Sequence, residues 1–208
     1  MLKCVIFDLD GTLVDSEPLG FRALKAMLPD LTMSVDDLTG QFRGQKLALV
    51  LAEIEARLGR RLPPGFEQAY RARAEAVFVS ELRAFPGVHE ALATLPWSKC
   101  IASSGPRAKI VRSLALTDLS PYFAGNIFSA YEVGAWKPDP GLFLHAAAAM
   151  NVRPDQCVVV EDSDVGMAAA AAADMRAIRF RHDGADAMGP GEFSSYERLA
   201  EILASRAH

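Results

Sequence analysis

Cysteine is scarce in this chain. Three occur in 208 residues, at Cys4, Cys100 and Cys157, with no C-x-x-C pair. That argues against a disulfide framework and against a paired-thiol metal site. Each opens an expected strand, so a thiol site competes with a plainer reading as small apolar filler at the lower end of a sheet; we adopt the plainer one. Basic runs are equally missing, and a formal charge of −4 with a pI near 5.6 argues against nucleic-acid binding. The six alanines at 168–173 are too few and too weakly apolar to span a bilayer. The N-terminus runs straight into a strand without a charged leader and long apolar region, which predicts a soluble, cytoplasmic protein with no membrane partner. What is present is a 50% hydrophobic composition, enough for a sizeable core in one large domain or two small ones.

No strand pattern appears between residues 15 and 85. Apolar spacing of three and four predicts helices over Glu17–Leu28, Gly44–Leu58 and Phe66–Leu82, punctuated by Pro29, Gly59 and Pro63-Pro64-Gly65. From Phe85-Pro86-Gly87 onward strand and helix alternate. Helices are expected at 88–95, 106–116, 140–150 and 165–174, with strands at 98–103, 126–129, 156–161 and 176–180. An amphipathic helix is expected over 194–206. Alternation of this kind makes a parallel α/β sheet with helices on both faces. The helical block then reads as an insertion at the upper end of the first strand, hinged near 14–18 and 84–87. It would overhang the carboxyl ends of the strands, where ligands of parallel sheets bind. The alanine run reads as a helix packed close on the sheet.

The first strand, Cys4 to Phe7, ends on Asp8, and Asp10 follows just before Gly11. In extended chain two carboxylates at that spacing point the same way, about 6.5 Å apart. Such proximity is costly unless a cation lies between them or one is protonated. The second strand runs into Ser103-Ser104-Gly105 ahead of a helix, which suits an anion site of hydroxyls and backbone N–H groups or, equally, simple helix capping. Two prolines bracket Asp139 in Trp136-Lys137-Pro138-Asp139-Pro140, so Lys137 has a defined direction, although a lone loop lysine is ordinarily solvated. The strand 157–160 ends in Glu161-Asp162-Ser163-Asp164. Oxygen ligands without a nearby His or Cys indicate a hard cation, Mg2+, for Glu161 and Asp162; Ser163 or Asp164 suits a helix cap. Asp8, Asp10, Glu161 and Asp162 outweigh Mg2+ and Lys137 by about one negative charge. A phosphoryl group would draw further donors from Ser103 and the backbone N–H groups, so the pocket suits phosphoryl transfer to a carboxylate.

Asp8-Leu9-Asp10-Gly11-Thr12-Leu13-Val14-Asp15-Ser16, then Ser103, then Lys137-Pro138-Asp139-Pro140, then Glu161-Asp162-Ser163 resemble, in that order, the four motifs of the haloacid dehalogenase superfamily. The resemblance spans the chain and is strongest to the β-phosphoglucomutase-like sugar-phosphate branch. The stretches Phe78–Leu82, Trp136–Pro140 and His145-Ala146-Ala147 also look like the bacterial 6-phosphogluconate phosphatases within it. The resemblance implies a Rossmann-like α/β core formed by 1–14 and 86–208 and an α-helical cap formed by 15–85. It implies that Asp8 is the nucleophile, forming an aspartyl-phosphate, and that Asp10 protonates the leaving oxygen and then activates water. Ser103 and Lys137 would hold the phosphoryl oxygens. Asp8, Asp162 and the backbone carbonyl of Asp10 would bind Mg2+, with Glu161 ligating directly or through water.

Dehalogenases lack the second aspartate of the first motif, so Asp10 argues for phosphate chemistry. The mutases carry a cap histidine five residues past the position of Asp15; Gly20 stands there, which favours net hydrolysis. None of His89, His145, His182 and His208 falls at a motif position, and each reads as surface or packing. Substrate selection is expected in the cap, where Gln41-Phe42-Arg43-Gly44-Gln45-Lys46 opens a helix. Arg43 and Lys46 could grip a carboxylate or second phosphate, Arg43 the better for its bidentate guanidinium, or simply form a solvated basic turn. The expected function is a Mg2+-dependent phosphatase for a small phosphorylated metabolite, a sugar or sugar-acid phosphate such as 6-phosphogluconate. A sugar-phosphate mutase is the alternative, and nothing in the chain demands more than a monomer.

Overall fold

A computed structural model of the chain describes residues 1–181, 189 and 191–205; His182, Arg206 and His208 lie outside the described residues. The β-branched run at the N-terminus forms strand β1 (Cys4–Phe7), buried throughout. Five more strands join it in parallel: β2 (Ser98–Ser103), β3 (Ile127–Ser129), β4 (Cys157–Glu161), β5 (Arg176–Phe180) and β6 (Glu192–Phe193). Their order across the sheet is β3-β2-β1-β4-β5-β6. The motif-bearing strands β1, β2 and β4 are therefore neighbours, and register sets Phe7 opposite both Ile101 and Val160.

The two-residue period of a strand sorts side chains to opposite faces. Val5, Phe7, Ile101, Val158 and Val160 join one hydrophobic cluster with Leu92, Ile110 and Leu199. These come from helices α5 (Val88–Thr94), α6 (Arg107–Leu116) and α10 (Leu199–Ala204). Cys4, Ile6, Cys100, Cys157 and Val159 join the other cluster, under α8 (Gly141–Ala149) and α9 (Asp164–Ala172). The three cysteines are buried and unpaired. Ala169, Ala170 and Ala173 lie in the same cluster, so the alanine run packs a helix on the sheet. A four-residue helix, α7 (Ala130–Val133), follows β3.

Between β1 and α5 the chain forms α1 (Glu17–Met27), α2 (Val35–Phe42), α3 (Leu47–Leu58) and α4 (Phe66–Glu81). Phe21, Leu24, Leu38, Phe42, Val50 and Ile54 of these helices form a third cluster of their own, whereas Ala74 and Phe78 of α4 pack into the first. The chain enters and leaves this region side by side: Asp15 N–H donates to Arg83 O at 3.1 Å and Phe85 N–H to Leu13 O at 3.0 Å.

Several elements differ from the sequence expectation. Helix α2 was not expected, yet Ser34 and Asp37 form a reciprocal capping box at its start. The expected helix at Gly44 begins at Leu47, because Gly44 sits at φ +70 and ends the turn after α2. The tail holds β6 and a 3-10 turn at Tyr196–Arg198 before the short α10, in place of one helix. No described helix is long and apolar enough to cross a membrane.

Phe123 is wholly buried, its ring 6.1 Å from that of Phe7 in edge-to-face contact beneath the site. Truncating Phe123→Ala should destabilise the protein by about 3–5 kcal/mol, read from the midpoint of denaturant unfolding.

Candidate active site

The carboxyl ends of β1, β2 and β4 carry the side chains singled out in the sequence, and the loop before α8 adds a lysine. Lys137 is buried, and its Nζ donates to Asp8 Oδ1 at 2.5 Å and to Glu161 Oε1 at 2.6 Å. The other Glu161 oxygen accepts from Asp162 N–H (2.8 Å), Ser163 N–H (2.6 Å) and Ser163 Oγ (2.9 Å). Glu161 thus anchors both Lys137 and the β4–α9 turn. Gly166 makes this possible, since a β-carbon there would overlap the Glu161 carboxyl. Ser163 also caps α9, accepting from Gly166 N–H at 3.1 Å.

Asp162 Oδ1 accepts from Thr12 Oγ1 at 2.9 Å, while its Oδ2 is buried with no hydrogen-bond partner. Gly11 permits this approach. It adopts φ +79, and a β-carbon on it would collide with the Asp162 carboxyl. Asp8, Glu161 and Asp162 each offer an oxygen within 4.8 Å of the others. An all-oxygen donor set with one orphaned buried carboxylate oxygen fits a hard divalent cation.

Electrostatics say the same. Burial, reinforced by Glu161 and Asp10 against the pull of Lys137, pushes the Asp8 carboxyl up to about 7. Burial, then Glu161, Glu17 and Asp8, raises Asp162 well above the ordinary carboxylate range. Lys137 loses stability as a cation through burial, but Asp8 and Glu161 outweigh that and raise it. Asp10 goes the other way. Burial works against its charge, yet Lys109 at 2.6 Å and Ser16 Oγ at 2.5 Å hold it below the usual range.

A cavity of about 390 Å³ opens over these groups, lined by Asp8, Asp10, Ser103, Ser104 and Gly105 from the sheet side. Ser103 is buried, its Oγ accepting from Gly105 N–H at 3.1 Å. The opposite wall comes from α1, the α2–α3 turn and α4, and includes Glu17, Gly44, Tyr70, Arg71 and Phe78. Of the two cations expected to grip substrate from that side, Arg43 reaches the acids, its Nε 3.3 Å from Glu17 Oε2 and 3.7 Å from Asp162 Oδ2. Gly44 donates its N–H to Glu17 Oε1 at 3.0 Å. Lys46 does not line the cavity, and its Nζ lies 3.5 Å from the centroid of the Trp136 ring.

Glu17 and Lys109 are among the ionisable residues of the cavity that were not read from the sequence. Glu17, pushed up to about 8 by burial against the help of Gly44 N–H and Arg43, directly follows the first motif, which was the available signal. Lys109 lies in the first turn of a helix, where a lysine ordinarily reads as solvated charge.

Against known proteins, the model of the haloacid dehalogenase-like hydrolases matches residues 2–174. The chain is 35% identical over 185 residues to 6-phosphogluconate phosphatase of Escherichia coli K12, covering 88% of this chain and 84% of that one. It is 30% identical to β-phosphoglucomutase of Bacillus subtilis, covering 85% and 82%. Among solved structures, a haloacid dehalogenase-like protein from Agrobacterium tumefaciens superposes with a TM-score of 0.84 at 30% identity over the whole of both chains. The chain belongs to the haloacid dehalogenase-like hydrolase family, as an enzyme of the phosphoric monoester hydrolase kind.

Proposed function

We propose that this enzyme is a Mg2+-dependent phosphatase that hydrolyses a small sugar or sugar-acid phosphate through an aspartyl-phosphate on Asp8. The observation that carries the reading is the orphaned, buried Asp162 Oδ2 beside Asp8, within reach of the same cation as Asp8 and Glu161. Residues 1–14 and 86–208 act as the catalytic core and 15–85 as a cap that closes over it. Asp8, Asp162 and the Asp10 carbonyl would hold Mg2+, with Glu161 ligating directly or through water; both Glu161 oxygens accept from protein donors. Bound there, Mg2+ neutralises charge on the transferring phosphoryl group.

Lys137 and Ser103 orient the phosphoryl oxygens, with Ser104 and Gly105 adding donors at the start of α6. An Asp8 oxygen forms the bond to phosphorus as the bond to the leaving oxygen breaks. Asp10 is ionised beside Lys109 in the substrate-free site and gains its proton as the phosphate raises the local negative charge. It gives that proton to the leaving oxygen, then takes one from the water that attacks phosphorus, and Asp8 is restored. Arg43 closes the cap side over the metal acids, and exclusion of water strengthens each of these interactions.

The mutase alternative draws on the likeness to β-phosphoglucomutase. Against it, Gly20 stands where the mutases carry a histidine, and a β-carbon there would lie 3.1 Å from the Tyr70 hydroxyl, a tight contact.

Asp8→Asn should lower turnover of p-nitrophenyl phosphate at least about 10⁴-fold with the fold intact by circular dichroism; substantial residual activity refutes the nucleophile. Metal linkage gives a second expectation. Asp8 and Glu17 hold protons in the folded, metal-free protein up to about pH 7 and 8, whereas the unfolded chain releases them near pH 4. Their contribution to stability is complete below about pH 4 and is lost as pH rises through 7 to 8. Mg2+ replaces the proton on Asp8, so the rise in Tm on adding Mg2+ should be larger at pH 8 than at pH 5.5. An equal rise at both would contradict the assignment.

A further inference from the structure

Lys109 is a charge that helix stability does not favour. It stands in the first turn of α6, which carries no acidic residue in that turn, and the helix macrodipole disfavours a cation there. Its ammonium lies on the cavity, 2.6 Å from Asp10 Oδ1 and 5.7 Å from the centroid of the Phe78 ring. The Lys109 side chain is 31% exposed, so solvent screens the pair with Asp10 and its contribution to the fold is small. Ser16 Oγ donates to the same Asp10 oxygen, so Asp10 keeps one hydrogen bond when the ammonium turns away.

The surroundings bring this cation toward the reacting end of the cavity. A β-carbon on Gly105 would lie 3.4 Å from Ser103 Oγ, 3.5 Å from Lys109 Cδ and 3.8 Å from Asp10 Oδ2, so the lysine stem, the phosphoryl-orienting serine and the acid meet around one glycine. One turn farther along α6, Arg112 also lines the cavity, with only a long 3.7 Å approach to the exposed Glu75. In the proposed reaction Asp10 abuts the leaving oxygen. A group that faces Asp10 from the cavity therefore faces the alcohol portion of the substrate.

We propose that Lys109, with Arg112 behind it, is a specificity-determining residue that binds a carboxylate on the leaving portion, so that the enzyme prefers phosphorylated polyhydroxy acids to neutral sugar or polyol phosphates. The flexible lysine stem lets the ammonium turn from Asp10 to the incoming carboxylate, leaving Asp10 with Ser16. Where a site is built to bind a polar group, the analogue that lacks it is discriminated against. This inference rests on the phosphatase reading and narrows its substrate.

The test compares two substrates with the same open carbon chain, 6-phosphogluconate and sorbitol 6-phosphate, which differ in bearing a carboxylate or a hydroxymethyl group at C1. With Mg2+ present, phosphate release is measured for the wild type, Lys109→Met and Lys109→Arg. The wild type should favour the acid in kcat/KM by about tenfold or more. Lys109→Met should collapse that ratio toward one, mainly through a higher KM for the acid, and Lys109→Arg should keep part of it. A wild-type ratio near one overturns the inference, as does a Lys109→Met variant that slows both substrates equally, while the phosphatase reading stands. The wild-type ratio and Lys109→Arg remain decisive if Lys109→Met misfolds. Failure to release phosphate from either substrate or from p-nitrophenyl phosphate overturns both.

Discussion

Three buried carboxylates share one buried ammonium at the head of the sheet, and the arithmetic does not close. Asp8 and Glu161 both take Lys137, so Asp162 is left with a hydroxyl on one oxygen and, on the other, no hydrogen bond and only the 3.7 Å approach of Arg43. Charges withdrawn from water need compensation close by, and a site that withholds it has reserved a place for something else. Much of the surrounding structure serves to maintain that imbalance. Gly11 and Gly166 exist as glycines because a side chain at either would push the acids apart, and Thr12 and Ser163 supply the hydrogen bonds that fix their direction.

The sheet makes the convergence possible. Parallel strands bring their carboxyl ends to one edge, and the order β2-β1-β4 sets three polar termini side by side although they lie far apart in sequence. The two faces are sealed differently. Large side chains such as Phe7 and Phe123 fill one, whereas the other sets the alanines of α9 and the three cysteines beside Leu142 and Phe143 of α8. A helix of small residues can lie close to the sheet, which keeps the start of α9, and Ser163 with it, directly over the end of β4. The helical region between β1 and α5 carries a hydrophobic cluster of its own and still meets the core through Ala74 and Phe78. Its polar contribution to the site is compact: Arg43 beside Asp162, Glu17 beneath Gly44, and Tyr70 over Gly20.

How much of this could be read in the chain depends on what each element rests upon. Strands β2 and β5 were legible to the residue: β2 is a short apolar stretch, Cys100-Ile101-Ala102, between serines and a lysine, and β5 sets Ala177, Ile178 and Phe180 among arginines just after the helix-ending Asp174. Helix α2 was not, since its largely polar sequence carries a narrow apolar face of Val35, Leu38 and Phe42, and the capping Ser34–Asp37 pair was the local signal. The gathering of Asp8, Ser103, Glu161 and Asp162 was anticipated because polar residues interrupt apolar strands at those ends, and that of Lys137 because the prolines of its loop give it a defined direction. Arg43 was the better of the two cap cations for its guanidinium, and it turns to the acids whereas Lys46, beyond the left-handed Gly44, turns to Trp136. Lys109 was invisible in sequence, as its meaning comes from an aspartate 99 positions earlier.

Calorimetric titration of the metal-free protein with Mg2+ at neutral pH, in buffers of different ionisation enthalpy, tests the central claim most directly. A deficit of positive charge at this cluster predicts one saturable site per chain, release of a proton on binding, and loss of both in Asp162→Asn. Absence of saturable binding at millimolar Mg2+, or binding that Asp162→Asn leaves unchanged, would contradict it.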